Sequence, residues 1–257
     1  MFYLITLDAG HGMDTAGKRT PLFPDGSYMR ENEFNEGAVR YFKEYLAYTP
    51  NVEVYDVAPE VNDTPLATRV SRANARLAEV KKKHGAENVK SVHVSIHANA
   101  YLGTWGEWGG QGTFYHEGSV KGQELAKSVL TQLVRGTVLR NRGANPANFY
   151  ILKYTVAPAV LIESAFMDNL AEAKLLMSEG FRKETGEDIA QGVANYLGFE
   201  VVPKPVPIIQ VEAPITAPEG KIYRVKAGAY SVKQNADAQV KKLKEAGFSA
   251  YASLEDK

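Results

Sequence analysis

Residues 2–12 read FYLITLDAGHG, an apolar run that ends in an aspartate and in a histidine between two glycines. An uninterrupted apolar run of this kind is typical of a strand that is buried on both faces, as in a parallel sheet. Gly10 and Gly12 allow the chain to turn directly after the strand. The stretch therefore predicts a core strand over Phe2–Leu7 that carries Asp8 and His11 to one edge of a sheet.

The rest of residues 1–199 alternates short apolar runs with amphipathic helical patterns. This alternation is typical of the α/β class, and we predict a twisted, mostly parallel (mixed) sheet of about five or six strands with helices on both faces. The further strands are predicted at Val52–Val57, Val89–Ile96, Gly112–Tyr115 and Ala159–Ile162. The helices are predicted at Glu31–Leu46, Pro65–Lys83 with Thr64 as its cap, Val120–Leu139, Asn169–Glu179 and Glu184–Leu197.

The composition changes after the domain predicted over residues 1–199. Residues 200–220 contain five prolines and show no helical or strand period, which predicts an extended, semi-rigid linker. Residues 221–257 predict a strand at Ile222–Tyr230, a basic helix at Asn235–Ala246 and a strand at Phe248–Leu254. We expect a small, partial α+β module, because about forty residues seldom bury enough apolar surface to fold alone.

Charge and composition exclude several classes of partner. The 257 residues include 30 basic and 30 acidic side chains, so no net field favours nucleic acid or an anionic membrane. No apolar stretch is long enough to span a bilayer, and we expect a monomer without nucleic-acid or membrane partners. The apolar run at Phe2–Leu7 lacks a basic leader and a cleavage site, so we expect synthesis in the cytoplasm without a signal peptide.

Polar residues follow three of the predicted buried strands. His11, His97 and Glu163 come where these strands end, and the carboxyl ends of strands in an open α/β sheet form its ligand crevice. Glu31 instead opens a helix, where the positive end of the helix dipole stabilises a carboxylate. The chain has no cysteine, so a metal site must use His, Asp and Glu. Two histidines, one carboxylate to complete a metal triad and a second carboxylate as base are what a zinc hydrolase needs.

Each of these residues also has a structural alternative. Gly10-His11-Gly12 could be a tight turn alone, Glu31 a simple helix-terminal charge, and His97 a residue that satisfies backbone groups after its strand. His93 and His97 have the spacing of a helical zinc motif, but on a strand they lie on the order of 13 Å apart. We therefore expect His93 to be a packed or hydrogen-bonded histidine, and likewise His84 and His116.

Five segments, taken in order, resemble the motif series of the zinc-dependent N-acetylmuramoyl-L-alanine amidases of the third amidase family. They are Gly10–Gly12, Arg30–Asn35, Arg69–Asn74, Ser95–Asn99 and Pro158–Phe166, and the resemblance covers about residues 1–199. It implies one zinc ion (Zn2+) held by His11, Glu31 and His97, with Glu163 as the catalytic glutamate. The implied reaction is hydrolysis of the amide between N-acetylmuramic acid and L-alanine in bacterial peptidoglycan.

The glycine-rich segment Gly103–Gly110 follows His97 and contains two tryptophans. Trp105 and Trp108, together with Asn99, are candidate substrate-binding residues, since aromatic rings stack on sugars or cover a peptide. The alternative is that both tryptophans only pin the loop to the protein surface. The sequence favours neither.

The tail resembles a SPOR domain, of which about the first half is present. The resemblance is carried by Tyr223–Val225, Gly228–Ser231, Asn235-Ala236 and Lys244–Phe248, and it implies binding of glycan strands that lack stem peptides. The whole architecture resembles bacteriophage endolysins and the autolysins of Gram-positive spore formers. We therefore expect action at the bacterial cell wall after lysis or another form of release, with the glycan strand and stem peptide of peptidoglycan as partners.

Two other functions remain open from the sequence. One is a catalytically inactive wall-binding or regulatory homologue that keeps the amidase scaffold. The other is a zinc carboxypeptidase acting on the stem peptide, which commonly uses an H-x-x-E pattern where this chain has His11-Gly12-Met13-Asp14.

Overall fold

The computed structural model describes residues 1–205, 233–245, 248 and 250–253. In chain order the elements are β1 (Phe2–Ala9), α1 (Glu31–Leu46), β2 (Val52–Asp56), α2 (Leu66–His84), β3 (Val89–Asn99), β4 (Gln111–Tyr115), α3 (Val120–Leu133), β5 (Asn141–Pro146), α4 (Tyr150–Tyr154), β6 (Ala159–Phe166), α5 (Leu170–Met177), α6 (Glu179–Leu197) and α7 (Lys233–Glu245).

The six strands form one mixed sheet in the order β2-β1-β3-β6-β4-β5. All neighbouring strands are parallel except β4 and β6, which are antiparallel. The predicted mixed, mostly parallel sheet is thus confirmed. The carboxyl ends of β1, β3 and β6 lie side by side at one edge, and β4 begins at that same edge.

Helices cover both faces of the sheet. α1, α3 and α6 pack together on one face over the main core, where Phe34, Phe42, Val94 and Ile162 are completely buried. α2 and α4 cover the other face, where Val70, Leu77, Ile151 and Leu161 pack on the sheet. The central strands are buried on both sides, which explains the long apolar runs of β1 and β6, while β3 also buries the polar side chains of His93 and Ser95.

Two elements were not predicted from the sequence. β5 is an edge strand of sequence NRGANP that contains a glycine and a proline, and α4 is a short helix of five residues. Neither has the apolar period that predicts a strand or a helix. β5 exists because it pairs with β4, and α4 because Ile151 and Leu152 are buried on the sheet.

Three predicted helix ends were wrong. α3 stops at Leu133 and not at Leu139, because Gly136 has a φ of 82° that a helix cannot contain. α6 begins five residues before the predicted Glu184, since Ser178 Oγ accepts the backbone N–H of Phe181 as an N-cap. Thr64 does not cap α2; its hydroxyl donates to Glu60 Oε2 at 2.7 Å, and the N-cap position is Pro65.

The chain divides into two compact units, residues 1–206 and 207–257. In the second unit α7 confirms the predicted basic helix, while the predicted strand at residues 222–230 and residues 206–220 of the predicted linker lie outside the described residues. Of the predicted strand at residues 248–254, residues 248 and 250–253 are described and are not in a strand. Across the described parts of both units, no helix has the length and apolar character needed to cross a membrane.

His93 is a completely buried histidine, as predicted. Its Nδ1 lies 2.9 Å from Thr6 Oγ1, and burial lowers its pKa to about 4. In the unfolded chain the pKa of a histidine is about 6.5, so the unfolded state binds more protons between these two pH values. The stabilisation from neutral His93 is complete above about pH 6.5 and is lost as the pH falls toward 4.

We therefore expect the free energy of unfolding to fall between pH 6.5 and pH 4, with His93 contributing up to about 3 kcal/mol of the decrease. Urea unfolding at both pH values measures it. In His93→Gln the decrease should be smaller than in the wild type, whatever the variant's stability at pH 7. Equal decreases in the two proteins would contradict the assignment.

Candidate metal centre

His11 lies in the turn after β1 in a backbone conformation that is unusual for a residue with a side chain. Its φ is 61°, in the left-handed region. Two donors hold its carbonyl oxygen: Asn32 Nδ2 at 3.0 Å and Arg69 Nη2 at 3.1 Å. These bonds stabilise the left-handed turn that points the imidazole to the sheet edge.

The structure brings His11, Glu31 and His97 into one cluster. Their potential ligand atoms all lie within 4.8 Å of one another. Glu31 connects the two histidines, with Oε2 at 3.4 Å from His11 Nε2 and Oε1 at 2.9 Å from His97 Nδ1. The three side chains come from the β1–α1 segment, the first residue of α1 and the last residues of β3, which continues past the predicted end at Ile96 to Asn99 and so contains His97.

Glu31 is almost completely buried yet remains an anion. Burial works to raise its pKa, but the hydrogen bond to His97 and the charges of His97, His11 and Lys18 outweigh it, so the pKa is lowered. Its Oε1 also accepts the backbone N–H of Ala98 at 3.3 Å. A buried carboxylate that is held ionised beside two imidazoles is a good ligand for a cation.

The two histidines differ in their electrostatic surroundings. Burial lowers the pKa of His11 to about 4, so its imidazole is neutral and offers a lone pair. Burial also works to lower the pKa of His97, but the hydrogen bond to Glu31 and the charges of Glu31 and Glu163 outweigh this effect, and the pKa is raised. A cation bound to the cluster takes the place of that proton as the partner of Glu31.

Gly10 is required by the position of His97. A Cβ atom at residue 10 would overlap the imidazole ring of His97, so only glycine allows the β1 turn to lie this close to β3. Asn35 Nδ2 holds the Gly10 carbonyl at 2.8 Å. The glycine therefore sets the distance between the turn and the histidine of the neighbouring strand.

Glu163 lies on β6 directly opposite His97 of β3 and Gly112 of β4. The residue is half-buried, and within the described part of the chain its Oε2 is buried without a hydrogen-bond partner. Burial raises its pKa to about 8, against the opposing effect of His97. A carboxyl group with a pKa near neutrality can both accept and return a proton.

A buried ion pair, which the sequence did not predict, supports this edge of the sheet. Arg69 on α2 donates to Asp8, and Ser95 Oγ donates to the other oxygen of Asp8 at 2.7 Å. Burial works to raise the pKa of Asp8, but the charge of Arg69 outweighs it and the pKa is lowered. Asp8 at the end of a buried strand was the available signal, because a buried carboxylate needs a cationic partner.

The three candidate substrate-binding residues make contacts within the protein. Asn99 Oδ1 accepts the N–H of Ala100 at 2.8 Å, Trp105 Nε1 donates to Leu22 O at 3.1 Å, and Trp108 Nε1 donates to Asp168 Oδ1 at 2.6 Å. All three are half-buried. The two indole hydrogen bonds agree with the alternative in which the tryptophans attach the loop to the protein. Contact of the three residues with substrate stays a prediction.

The site fits a metal ion by the chemistry of its donors. The imidazoles of His11 and His97 and the carboxylate of Glu31 converge. Glu163 is not part of this group, and its Oε2 is buried without a hydrogen-bond partner within the described residues. Three N/O ligands with a separate carboxylate are the arrangement that metal-dependent hydrolases use. The fold and the cluster therefore present a candidate metal centre of the kind that metallohydrolases use, on an α/β sheet.

The particular family follows from comparison with known proteins. The family model Amidase_3, described as N-acetylmuramoyl-L-alanine amidase, matches residues 5–195, and the SPOR domain model matches residues 204–256. The chain belongs to the Amidase_3 family. This result confirms the resemblance found in the sequence for both parts of the chain.

Individual relatives match the same region. A cell wall amidase of Bacillus anthracis is 28% identical over an alignment of 201 residues, and the match covers 75% of this chain and 35% of the relative. The endolysin of Bacillus phage SPP1 is 27% identical over an alignment of 202 residues, and the match covers 78% of this chain and 68% of the endolysin. The chain therefore spans about a third of the length of the first of these relatives.

A solved structure has the same fold. The N-acetylmuramoyl-L-alanine amidase of Clostridium difficile 630 is 26% identical with a TM-score of 0.65, and the match covers 77% of this chain and 97% of that chain. The amidase fold is thus complete within the first unit.

Proposed function

We propose that the protein is a zinc-dependent N-acetylmuramoyl-L-alanine amidase, which hydrolyses the amide between the lactyl group of N-acetylmuramic acid and L-alanine in peptidoglycan. The observation that carries the proposal is the His11, Glu31 and His97 cluster with Glu163 opposite His97 on the next strand. Family membership supplies the substrate class.

His11, Glu31 and His97 would hold the metal. Zinc suits this set, because it accepts imidazole and carboxylate ligands and a catalytic site needs only three of them from the protein. When bound, zinc supplies Lewis acidity toward a water molecule and toward a carbonyl oxygen. Asn32 and Arg69 contribute by fixing the His11 carbonyl, and therefore the direction of its ring.

Glu163 carries the proton transfers. Its free Oε2 accepts a proton from the attacking water, whose oxygen forms the new bond to the lactyl carbonyl carbon. The same carboxyl returns that proton to the alanine nitrogen as the amide C–N bond breaks, which gives a free carboxyl group on the sugar and a free amine on the peptide.

The tail adds a second wall contact in this proposal. Residues 204–256 match the SPOR domain, and such a module would hold the chain on glycan from which stem peptides have been removed. Tethering raises the effective concentration of the catalytic unit near further substrate. We also propose that the protein acts at the bacterial cell wall and that it does so as a monomer.

Incubation of the full chain with purified cell wall tests the proposal. We expect new L-alanine amino termini, identified by mass spectrometry, together with intact lactyl groups on muramic acid. Treatment with a chelator should remove the activity, and added zinc should restore it.

Other outcomes distinguish the other candidates. Release of D-alanine in place of new L-alanine termini would indicate a carboxypeptidase. Binding to the wall without any product would indicate an inactive homologue. Full activity after complete metal removal would contradict the zinc assignment while leaving the amidase assignment intact.

A further inference from the structure

The loop between β3 and β4, residues 100–110, presents exposed apolar side chains close in the chain to His97. It begins directly after the strand that carries His97. Its two most exposed large apolar side chains are Tyr101 and Leu102, at 69% and 63% exposure. We call these two residues the loop rim. Exposed apolar side chains that adjoin one another are candidates for ligand contact.

A single buried carboxylate holds the backbone of the rim. Oδ2 of Asp168 accepts the N–H groups of Tyr101, Leu102 and Gly103 at 2.7, 2.9 and 3.0 Å. Asp168 is completely buried, and its Oδ1 accepts the indole N–H of Trp108 at 2.6 Å. Hydrogen bonds to a carboxylate are about twice as strong as neutral ones, so Asp168 keeps the rim in one conformation.

The two tryptophans complete the support of the loop. The Trp108 ring lies against Gly106, where a Cβ atom would overlap it. Trp105 bonds to Leu22 O, and its ring lies 5.2 Å from that of Phe23, which joins the loop to the segment that leads into α1. With both indole N–H groups engaged inside the protein, the rim is left as the outward aromatic and aliphatic surface of the loop.

We propose that Tyr101 and Leu102 bind the glycan part of the substrate and that Asp168 is the positioning residue that presents them. The inference rests on the proposed amidase function and adds a glycan contact to it. Residues 100–106, which include the rim, read AYLGTWG, and the one charged side chain of the loop is the exposed Glu107. Sugar rings are neutral and expose C–H faces that pack on an aromatic ring such as Tyr101.

A cationic side chain near the three-residue cluster favours the same assignment. Lys18, in the segment before α1, is close enough for its positive charge to act on His11, Glu31 and Glu163. The carboxylates of a stem peptide are better matched to this lysine than to Tyr101 and Leu102, which carry no charge. The rim is therefore better suited to the neutral glycan.

Soluble substrates of two glycan lengths test the inference with the full chain. One is a muramoyl peptide with a single sugar, and the other carries the same stem peptide on a four-sugar glycan. We expect the wild type to prefer the longer substrate in kcat/KM. Tyr101→Ala combined with Leu102→Ala should reduce this preference about two- to tenfold, mainly through KM, as expected for loss of one aromatic contact.

Asp168→Asn should reduce the same preference and should speed amide hydrogen exchange at residues 101–103, while the zinc content stays unchanged. Tyr48→Ala is the matched control, because Tyr48 is 45% exposed and lies after α1 at the opposite edge of the sheet. It should keep the wild-type preference. If Asp168→Asn fails to fold, the rim variant alone decides whether the glycan is bound there.

Two results would overturn the inference. They are an unchanged glycan preference in the rim variant and absence of the preference in the wild type. In each of these the wild type still cleaves muramoyl peptides, so the amidase proposal survives. A wild type that cleaves neither substrate overturns the amidase proposal, and the glycan inference falls with it.

Discussion

Glu163→Gln is expected to lower kcat by about 10²- to 10⁴-fold, the usual contribution of a positioned general base. Glutamine keeps the shape of glutamate but cannot accept the proton of the attacking water. Because Glu163 lies opposite His97 but is not one of the three clustered ligands, the variant should bind zinc as the wild type does. Single-turnover assays on cell wall, with metal analysis of the same samples, measure both properties.

The stability of this variant separates a catalytic from a structural role. Oε2 of Glu163 is buried without a hydrogen-bond partner within the described residues, so its replacement by an amide breaks no hydrogen bond at this atom and should not lower the melting temperature. Glu124→Gln, on the exposed side of α3, is the matched control and should keep full activity. If Glu163→Gln retained wild-type kcat, Glu163 would not be the base.

The sequence predicts the site better than it predicts the periphery of the fold. Buried parallel strands are mostly apolar, so a change to polar residues, as at Asp8 and Glu163, marks the approach to the carboxyl end of a strand. α1 is found at Glu31–Leu46, the predicted range, because its amphipathic period and its acidic first turn agree. These elements determine where the three candidate ligands, His11, Glu31 and His97, come together.

The missed features depend on long-range contacts. β5 has a composition typical of a loop and becomes a strand only through pairing with β4. Asp168 reads as an ordinary polar residue after a strand, yet it binds three consecutive N–H groups of a loop more than 60 residues earlier in the chain. Partners at such separations leave no local periodic pattern for sequence reasoning to detect.

The partners of Arg69 could not be predicted from the sequence for the same reason. It was part of a recognised motif, but its partners are Asp8 and the carbonyl oxygen of His11, on segments far away in the sequence. Local spacing on α2 indicates only that one face of the helix is buried. The ion pair follows from the requirement that buried Asp8 has a counter-charge, which becomes specific only when the sheet and α2 are assembled.

His97→Ala is expected to abolish specific zinc binding, which would make the protein inactive. The reason is geometric, since the cluster has three ligands and the remaining His11 and Glu31 cannot form a closed set. The loss of affinity should exceed the about 10- to 100-fold that removal of an outer-shell partner costs. Competition with a chromophoric chelator gives the affinity of both proteins, and unchanged zinc binding by His97→Ala would contradict the proposed ligand set.

Gly10→Ala tests the same centre without removing a ligand. The added Cβ would overlap the His97 imidazole and force it away from Glu31, so we expect weaker zinc binding although all three ligand side chains are present. Gly180→Ala is the control, because there the new Cβ meets only Ser178 Oγ at 3.7 Å, at the exposed start of α6. Weak zinc binding in Gly10→Ala alone would show that the β1 turn and β3 must approach to this distance for the metal to bind. Equal zinc affinity in both variants would mean that the His97 ring can move without loss of the site, which the tight packing around it argues against.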